Sequence, residues 1–170
     1  MRPDGESKLS TIRAAGHDDL PRILSIYNRE VLVSTATYDT VPRTEAEHRK
    51  WFRLHGSHHP VLVAEADGVV CGWASLSPWS DRAAYARTVE VSVYVDEAYR
   101  RRGIGRQLLK ALVDAARGHG HHCLLARISA DNEASVRLHA DIGFSVVGTM
   151  HEAGSKFGRL LDVCIMEMLI

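Results

Sequence analysis

The sequence predicts an α/β (α+β) fold in which a mixed β-sheet carries about four helices on its faces. Segments with the two-residue period of a strand alternate with segments of helical period, in the order β-α-α-β-β-β-α-β-α-β-β. The 170 residues suit one domain with a full core, expected over 10–170. The 45% of hydrophobic and 25% of charged residues form an ordinary globular balance.

The first helix is indicated by its cap and its apolar face. Residues 1–9 are polar and predict a flexible tail. A short strand is expected at Thr11–Ala14, after which Asp18 or Asp19 can cap a helix with Pro21 in its first turn. The residues that share one apolar face of this helix are Leu20, Ile23, Leu24, Tyr27 and Val31.

A second helix and a hairpin follow a polar loop. Thr44 and Glu47 form a capping-box pattern, which predicts that a helix begins there. Residues 60–66 and 69–76 are rich in alternating apolar residues and predict two strands. Asp67-Gly68 lies between them, and this dipeptide is typical of a tight hairpin turn.

The second half of the chain alternates strands and helices. A glycine-rich connection is expected at 154–158, between the last two strands. The buried stripe of the long helix is expected to be Ile104, Leu108, Leu112, Ala115 and Ala116. The expected elements are a strand at 88–95, a helix at 104–117, a strand at 123–128, a short helix capped by Asp131 or Asn132, and strands at 144–150 and 161–169.

Composition argues against several classes of partner. Lysine plus arginine equals aspartate plus glutamate at 21 each, so net charge predicts no nucleic-acid or membrane partner. Cys71, Cys123 and Cys164 have no metal-ligand or redox spacing, which indicates free thiols in the reducing cytoplasm. Histidines at 55–59 and 119–122 lack accompanying cysteine or carboxylate spacing, so no metal is expected.

A loop between the strand at 88–95 and the helix at 104–117 carries the strongest site signal. Free amides of a first helical turn point at an anion, and glycines let that anion approach the backbone. The pattern lacks the Lys-Ser/Thr of a nucleotide phosphate loop and does not fit G-x-G-x-x-G. The loop predicts a phosphate-bearing cofactor, with a helix start bearing surface arginines as the alternative. Its residues are Arg100, Arg101, Arg102, Gly103, Ile104, Gly105 and Arg106.

Two motifs resemble those of the GCN5-related N-acetyltransferase (GNAT) family. The family loop Q/R-x-x-G-x-G/A is matched by Arg100, Gly103 and Gly105. Further stretches, including Pro78-Trp79 and Lys156-Phe157-Gly158, resemble its branch acting on phosphinothricin, methionine sulfone and methionine sulfoximine, and the likeness covers about 11–169. The second family motif is matched by Asn132, Ser135, Leu138, His139, Gly143 and Phe144.

The resemblance implies that the cofactor is acetyl coenzyme A (acetyl-CoA). In the family it lies between two splayed parallel strands, here 89–95 and 123–129, with its pyrophosphate on the amides of 101–106. Its pantetheine arm pairs with a strand backbone as an additional strand would. The implied arm-binding residues are Val93, Tyr94, Val95, Asn132 and Ser135.

The implied reaction is direct attack of a primary amine on the thioester in a ternary complex. Strand alternation places Glu90 and Ser92 on one face of the strand, opposite its valines. Glu90 is interpreted as a general base that acts through water and also holds the substrate ammonium. The alternative is a rim carboxylate paired with Arg82 or Arg87.

His139 stands where many family members have a tyrosine that protonates the departing thiolate. Histidine can donate a proton near neutral pH, and the alternative is a histidine packed on the short helix.

The acceptor side carries the less specific residues. Arg82 is expected to bind an α-carboxylate, with a solvated loop charge as the alternative. Tyr85 walls the substrate pocket or covers the edge of the core. Lys156 and Phe157 are expected to reach a neighbouring subunit, because the branch is usually dimeric.

Together the motifs and the resemblance predict a cytoplasmic, homodimeric N-acetyltransferase without a metal. Its acceptor would be the α-amine of a small amino-acid-like molecule of the phosphinothricin, methionine sulfone or methionine sulfoximine type. The alternatives are a protein or peptide N-acetyltransferase and a non-catalytic acyl-CoA sensor.

Overall fold

The structure is a computed structural model that describes residues 10–170, so the flexible tail expected at 1–9 lies outside the described residues. Four α-helices and one seven-stranded sheet form the fold. The strands are β1 (Thr11–Ala14), β2 (Val61–Ala66), β3 (Val69–Pro78), β4 (Thr88–Val95), β5 (Cys123–Ser129), β6 (Ser145–Lys156) and β7 (Arg159–Leu169). The helices are α1 (Leu20–Val33), α2 (Glu45–Arg53), α3 (Ile104–Gly118) and α4 (Glu133–Ile142).

The strand order is β1-β2-β3-β4-β5-β7-β6, and β4–β5 is the parallel pair of this otherwise antiparallel sheet. The β4–β5 register covers only Thr88 with Cys123, Val89 with Leu124 and Glu90 with Leu125. Beyond Glu90 the two strands diverge, while β4 stays paired with β3 as far as Val95. This confirms the mixed sheet with a splayed parallel pair, and the divergence leaves an opening in the middle of the sheet.

Two hydrophobic cores lie on opposite faces of the sheet. One contains the apolar stripe of α3, where Leu108, Leu109 and Leu112 are fully buried. The other contains the buried face of α1 together with Trp73 of β3. On β4 the valines at 89 and 91 are buried in the first core, so Glu90 and Ser92 face the opposite side as strand alternation predicts.

Local sequence signals explain how several elements begin and turn. Thr44 accepts a hydrogen bond from the Glu47 amide, and the Glu47 carboxylate accepts one from the Thr44 amide, which forms the predicted capping box of α2. Asp67 and Gly68 both have positive φ, 53° and 78°, as a tight hairpin between twisted strands requires. Asn132 is the N-cap of α4, and its side chain accepts from the Ser135 amide.

The prediction that a glycine-rich connection spans 154–158 is wrong. Strands β6 and β7 continue through this segment as a hairpin, with Gly154 opposite Leu161 and Lys156 opposite Arg159. Only Phe157 and Gly158 form the turn, both with positive φ. No helix within residues 10–170 combines the length and apolarity needed to span a bilayer.

Candidate active site

A cavity of about 520 Å³ opens where β4 and β5 diverge. Its floor comes from β3, β4 and β5, and the loop at 34–42, which follows α1, forms one wall. Helix α4 and strand β6 contribute the remaining side. The polar side chains that line it include Ser75, Ser77, Glu90, Ser92, Arg127, Ser129, Asn132, Ser135 and His139.

Glu90 lies in this cavity in a two-point ion pair with Arg127. Its Oε1 accepts from Arg127 Nε at 2.7 Å, and its Oε2 accepts from Arg127 Nη2 at 2.6 Å. These hydrogen bonds raise the pKa of Arg127. The guanidinium carbon also lies 5.5 Å from the centre of the Trp79 ring. The ion pair therefore joins Glu90, at the last paired position of β4, to a residue two positions beyond its partner Leu125 on β5.

The alternative that paired Glu90 with Arg82 or Arg87 is wrong about the partner. Arg87 donates instead to the Gly120 carbonyl at 2.9 Å. Arg82 and Tyr85 are exposed in the segment before β4, and neither is among the described residues that line the cavity. The parallel pairing of β4 with β5 brings Arg127 to Glu90, and this pairing cannot be seen in the local sequence.

The loop that precedes α3 presents free backbone amides. Gly103 has φ 79° and Arg101 has φ 62°, and α3 begins directly afterwards. Within residues 10–170, the amides of 101–106 have no protein acceptor, because first-turn amides lack a preceding turn to bond with. The loop can therefore bind an anion through its amides and the positive end of the helix dipole.

Three arginine side chains of this loop, those of Arg100, Arg102 and Arg106, bind neighbouring protein groups. Arg100 donates to the Val95 carbonyl at 3.1 Å and pairs with the buried carboxylate of Glu30. Arg102 donates to the Ala98 carbonyl at 3.0 Å. The side chain of Arg106 lies 3.4 Å from Asp141. Arg100 thereby ties the loop to α1.

His139 is buried on α4 and lines the cavity. Its Nδ1 lies 2.8 Å from the Ser135 carbonyl oxygen, and its ring packs edge-on against Phe144 at 5.2 Å. Burial lowers the pKa of His139, so the ring is neutral at pH 7. Since a carbonyl only accepts, Nδ1 carries the hydrogen and Nε2 keeps a lone pair. In this tautomer, a proton for a thiolate must first reach Nε2.

The loop at 34–42 is held against the far end of the sheet by long-range contacts. Tyr38 donates to the Asp162 carbonyl at 2.9 Å, and Thr35 donates to the Asp131 carboxylate at 2.7 Å. Lys156 is buried and donates to the Thr37 carbonyl at 2.7 Å. Lys156 thus contacts its own chain, and its burial lowers the pKa of the amine.

An aromatic and ionic cluster that the sequence did not indicate lines the cavity beside this loop. The Tyr27 hydroxyl donates to Asp39 at 2.5 Å, and Arg43 Nη2 lies 3.1 Å from the same carboxylate. Burial and the hydrogen bond to Asp39 raise the pKa of Tyr27 to about 12. Trp73 also lines the cavity, and its buried indole N–H has no hydrogen-bond partner within residues 10–170. The only sequence signal was an acidic and a basic residue at i and i+4, which is common in loops.

The two histidine groups meet in space without forming a metal site. The rings of His58 and His119 lie 5.5 Å apart, and those of His59 and His121 lie 5.4 Å apart. Among the described residues, no group of three or more histidine, cysteine or carboxylate side chains is arranged to hold a metal ion.

Comparison with known proteins finds relatives that match most of the chain. Residues 21–144 match the acetyltransferase (GNAT) family. The chain is 42% identical over 161 residues to the L-methionine sulfoximine/L-methionine sulfone acetyltransferase of Pseudomonas aeruginosa, covering 94% of both chains. It is 40% identical over 160 residues to the L-amino acid N-acyltransferase MnaT of Escherichia coli, covering 93% and 92%. The solved phosphinothricin acetyltransferase of Sinorhizobium meliloti in complex with acetyl-CoA superposes with a TM-score of 0.92 at 36% identity, covering 95% and 89%.

Proposed function

Since the chain belongs to the acetyltransferase (GNAT) family and is an N-acetyltransferase, we propose that it acetylates the α-amine of a small amino-acid-like molecule. The acetyl group moves directly from acetyl-CoA in a ternary complex. The observation that carries this proposal is the position of Glu90 in a cavity between diverging strands, on the strand that precedes the loop of free amides in the chain. The names of relatives that act on methionine sulfone, phosphinothricin and L-amino acids support the same substrate class.

The described residues fit acetyl-CoA on two counts. The free amides of 101–106 suit its pyrophosphate. The edge of β4 that faces β5 is unpaired beyond Glu90, so the backbone around Val93 and Val95 can bind an extended pantetheine arm. Asn132 and Ser135 lie across the same cavity. When bound, acetyl-CoA supplies the activated acetyl thioester.

Glu90 is proposed as the general base. A primary amine is protonated at neutral pH, and it attacks only after losing a proton. Glu90 accepts that proton, directly or through water, and its negative charge also holds the ammonium before transfer. The new bond joins the amine nitrogen to the acetyl carbon as the carbon–sulfur bond breaks. The thiolate then takes a proton, for which Nε2 of His139 is the proposed relay.

We also propose a cytoplasmic homodimer that acts on a small molecule rather than on a nucleic acid. Equal numbers of acidic and basic residues support a small-molecule substrate over a nucleic acid. Three free cysteines support the reducing cytoplasm as the compartment. Exposed apolar side chains on the edge hairpin of β6 and β7, namely Val146, Val147 and Leu160, support a contact between copies.

Release of the coenzyme A thiol tests the proposed function. Purified protein and acetyl-CoA are offered methionine sulfone, methionine sulfoximine, phosphinothricin, free amino acids and short peptides. We expect turnover of at least one α-amino acid, with peptides much poorer. Turnover of peptides alone would favour a peptide acetyltransferase, and no turnover on any amine would refute the enzyme's proposed substrate class.

Glu90→Gln tests the assigned base. This variant should lose about 100-fold or more in kcat near neutral pH, because the amide cannot accept the proton. The matched control is Glu133→Gln, since Glu133 is an exposed carboxylate on α4 that pairs with Arg137 at 3.7 Å. Equal activity of both variants across the pH range would remove Glu90 from the mechanism.

A further inference from the structure

The arginine beside Glu90 is more accessible than its partner and is not saturated by it. The Arg127 side chain is 51% exposed and the Glu90 side chain 19% exposed, and both line the cavity. Glu90 takes one hydrogen from Nε and one from Nη2. A guanidinium has five N–H donors, and within residues 10–170 no other acceptor binds the Arg127 side chain. The edge formed by Nη1 and Nη2 is therefore free to bind a second carboxylate.

We propose that Arg127 binds the α-carboxylate of the acceptor while Glu90 binds its α-ammonium, so that the Glu90–Arg127 pair selects zwitterionic α-amino acids. This inference rests on the proposed function and names the residue that determines its substrate class. It assigns to Arg127 the role expected for Arg82, which is exposed and is not among the described residues that line the cavity.

Covalent geometry favours this pair over other charged residues in the cavity. In an α-amino acid one carbon separates the nitrogen from the carboxylate, so the two groups that bind them must be neighbours. Arg127 is in contact with Glu90. Arg43 also lines the cavity, but it contacts Asp39 through both Nε and Nη2, at 3.2 and 3.1 Å. Of these arginines, Arg127 is the one placed to hold a carboxylate beside an amine bound at Glu90.

The surroundings of Arg127 fix the plane in which it can bind. Glu90 holds one edge of the guanidinium, and the Trp79 ring lies 5.5 Å from its central carbon. The backbone of Arg127 is paired with Ile165 of β7, so the side chain starts from a rigid strand. A planar donor held on two sides loses little rotamer freedom when a carboxylate binds its free edge.

The test compares an acid with its amide. L-Methionine sulfone, or phosphinothricin if it is the better acceptor, is assayed against its own carboxamide, which keeps the amine and removes the negative charge. We expect the wild-type enzyme to prefer the acid. Arg127→Gln should lower kcat/KM for the acid by about 100-fold, mainly through KM, and change the value for the carboxamide little. Arg127→Lys should lie between the two, because it keeps the charge and loses the planar fork.

Two control variants separate this role from others. Arg137→Gln removes an exposed arginine of α4 outside the cavity and should leave both substrates unaffected. Arg82→Gln tests the rival assignment, and a selective loss on the acid in this variant would overturn the inference. An equal loss on acid and carboxamide in Arg127→Gln would also overturn it, since Arg127 would then only position Glu90. A wild-type enzyme that acetylates acid and carboxamide equally refutes the inference alone, whereas one that acetylates neither these two nor any other α-amino acid refutes the proposed function as well.

Discussion

The buried imidazole of His48 links the stability of the fold to pH. His48 lies on α2 with 2% of its surface exposed, stacked on the Trp51 ring at 4.9 Å. Both ring nitrogens are buried, and neither has a hydrogen-bond partner in the described part of the chain. Burial, with a smaller contribution from the positive charge of Arg43, lowers the pKa of His48 from 6.5 to about 4. The native protein therefore keeps this ring neutral at pH values where an unfolded chain protonates it.

The magnitude of this effect follows from the two pKa values. As pH falls through 6.5 the unfolded state takes up a proton, and the native state does so only near pH 4. The stability associated with neutral His48 is therefore present above pH 6.5 and is lost between pH 6.5 and 4. At about 1.4 kcal/mol per pH unit, this loss amounts to about 3 kcal/mol. His48→Phe keeps a stacked ring and breaks no hydrogen bond, so it should unfold with similar free energy at pH 7 and be more stable than wild type at pH 4.

Urea unfolding followed by circular dichroism at pH 7, 6, 5 and 4 measures this difference. The difference in free energy of unfolding between variant and wild type should grow by about 3 kcal/mol as pH falls, because the contributions of other titrating groups cancel in the comparison. The control is His122→Gln, which replaces an exposed imidazole that contacts the Ile170 carbonyl. It should run parallel to wild type. Parallel curves for His48→Phe and wild type would refute the reasoning.

Two glycine substitutions test the packing of the loop at 34–42 and the loop of free amides before α3. A Cβ on Gly154 would lie 2.7 Å from the Tyr38 ring, so Gly154→Ala should lower the free energy of unfolding by about 1–3 kcal/mol and raise KM for the acceptor. Thermal unfolding and rate assays measure the two effects. The control is Gly148→Ala, where a Cβ has open space and neither effect is expected. At Gly105 a Cβ would lie 3.2 Å from Leu138 beside the free amides, so Gly105→Val should lower acetyl-CoA affinity at least about tenfold in calorimetric titration. Unchanged affinity with an intact circular dichroism spectrum would contradict the assignment of the loop.

Local sequence patterns correctly predicted the elements in which the order of apolar and polar residues shows which face is buried. Strand β4 and helix α3 agree with expectation because alternation and helical period record which face meets the core. The end of the β6–β7 hairpin was mistaken for a loop, because the glycine at position 154 is required by a contact with a residue distant in sequence. Gly154 makes room for the ring of Tyr38, which belongs to a loop far earlier in the chain. A glycine required by packing and a glycine required by a turn look the same in sequence.

The residues of the candidate site also fall into those that local sequence patterns indicated and those that only the folded chain brings together. The loop at 100–106 and the positions of Glu90 and His139 were visible as motifs, since each motif is local. The partner of Glu90 was not, because the sequence favoured arginines near it and the topology supplied Arg127 from the next parallel strand. The wall built by Tyr27, Asp39 and Arg43 depends on how one loop folds against α1, and no periodic pattern encodes that.

The anchors of the loop at 34–42 have a consequence for the order in which a newly made chain can complete its cavity. The hydrogen bonds of this loop join Thr35 to Asp131, Tyr38 to the carbonyl of Asp162, and Thr37 to Lys156, and all three partners lie in the second half of the sequence. While the ribosome is still making the second half of the protein, the Tyr94 hydroxyl can already donate to the Ala36 carbonyl, but the contacts of this wall with Asp131, Lys156 and Asp162 cannot yet form. This wall of the cavity is therefore complete only when the last hairpin has emerged.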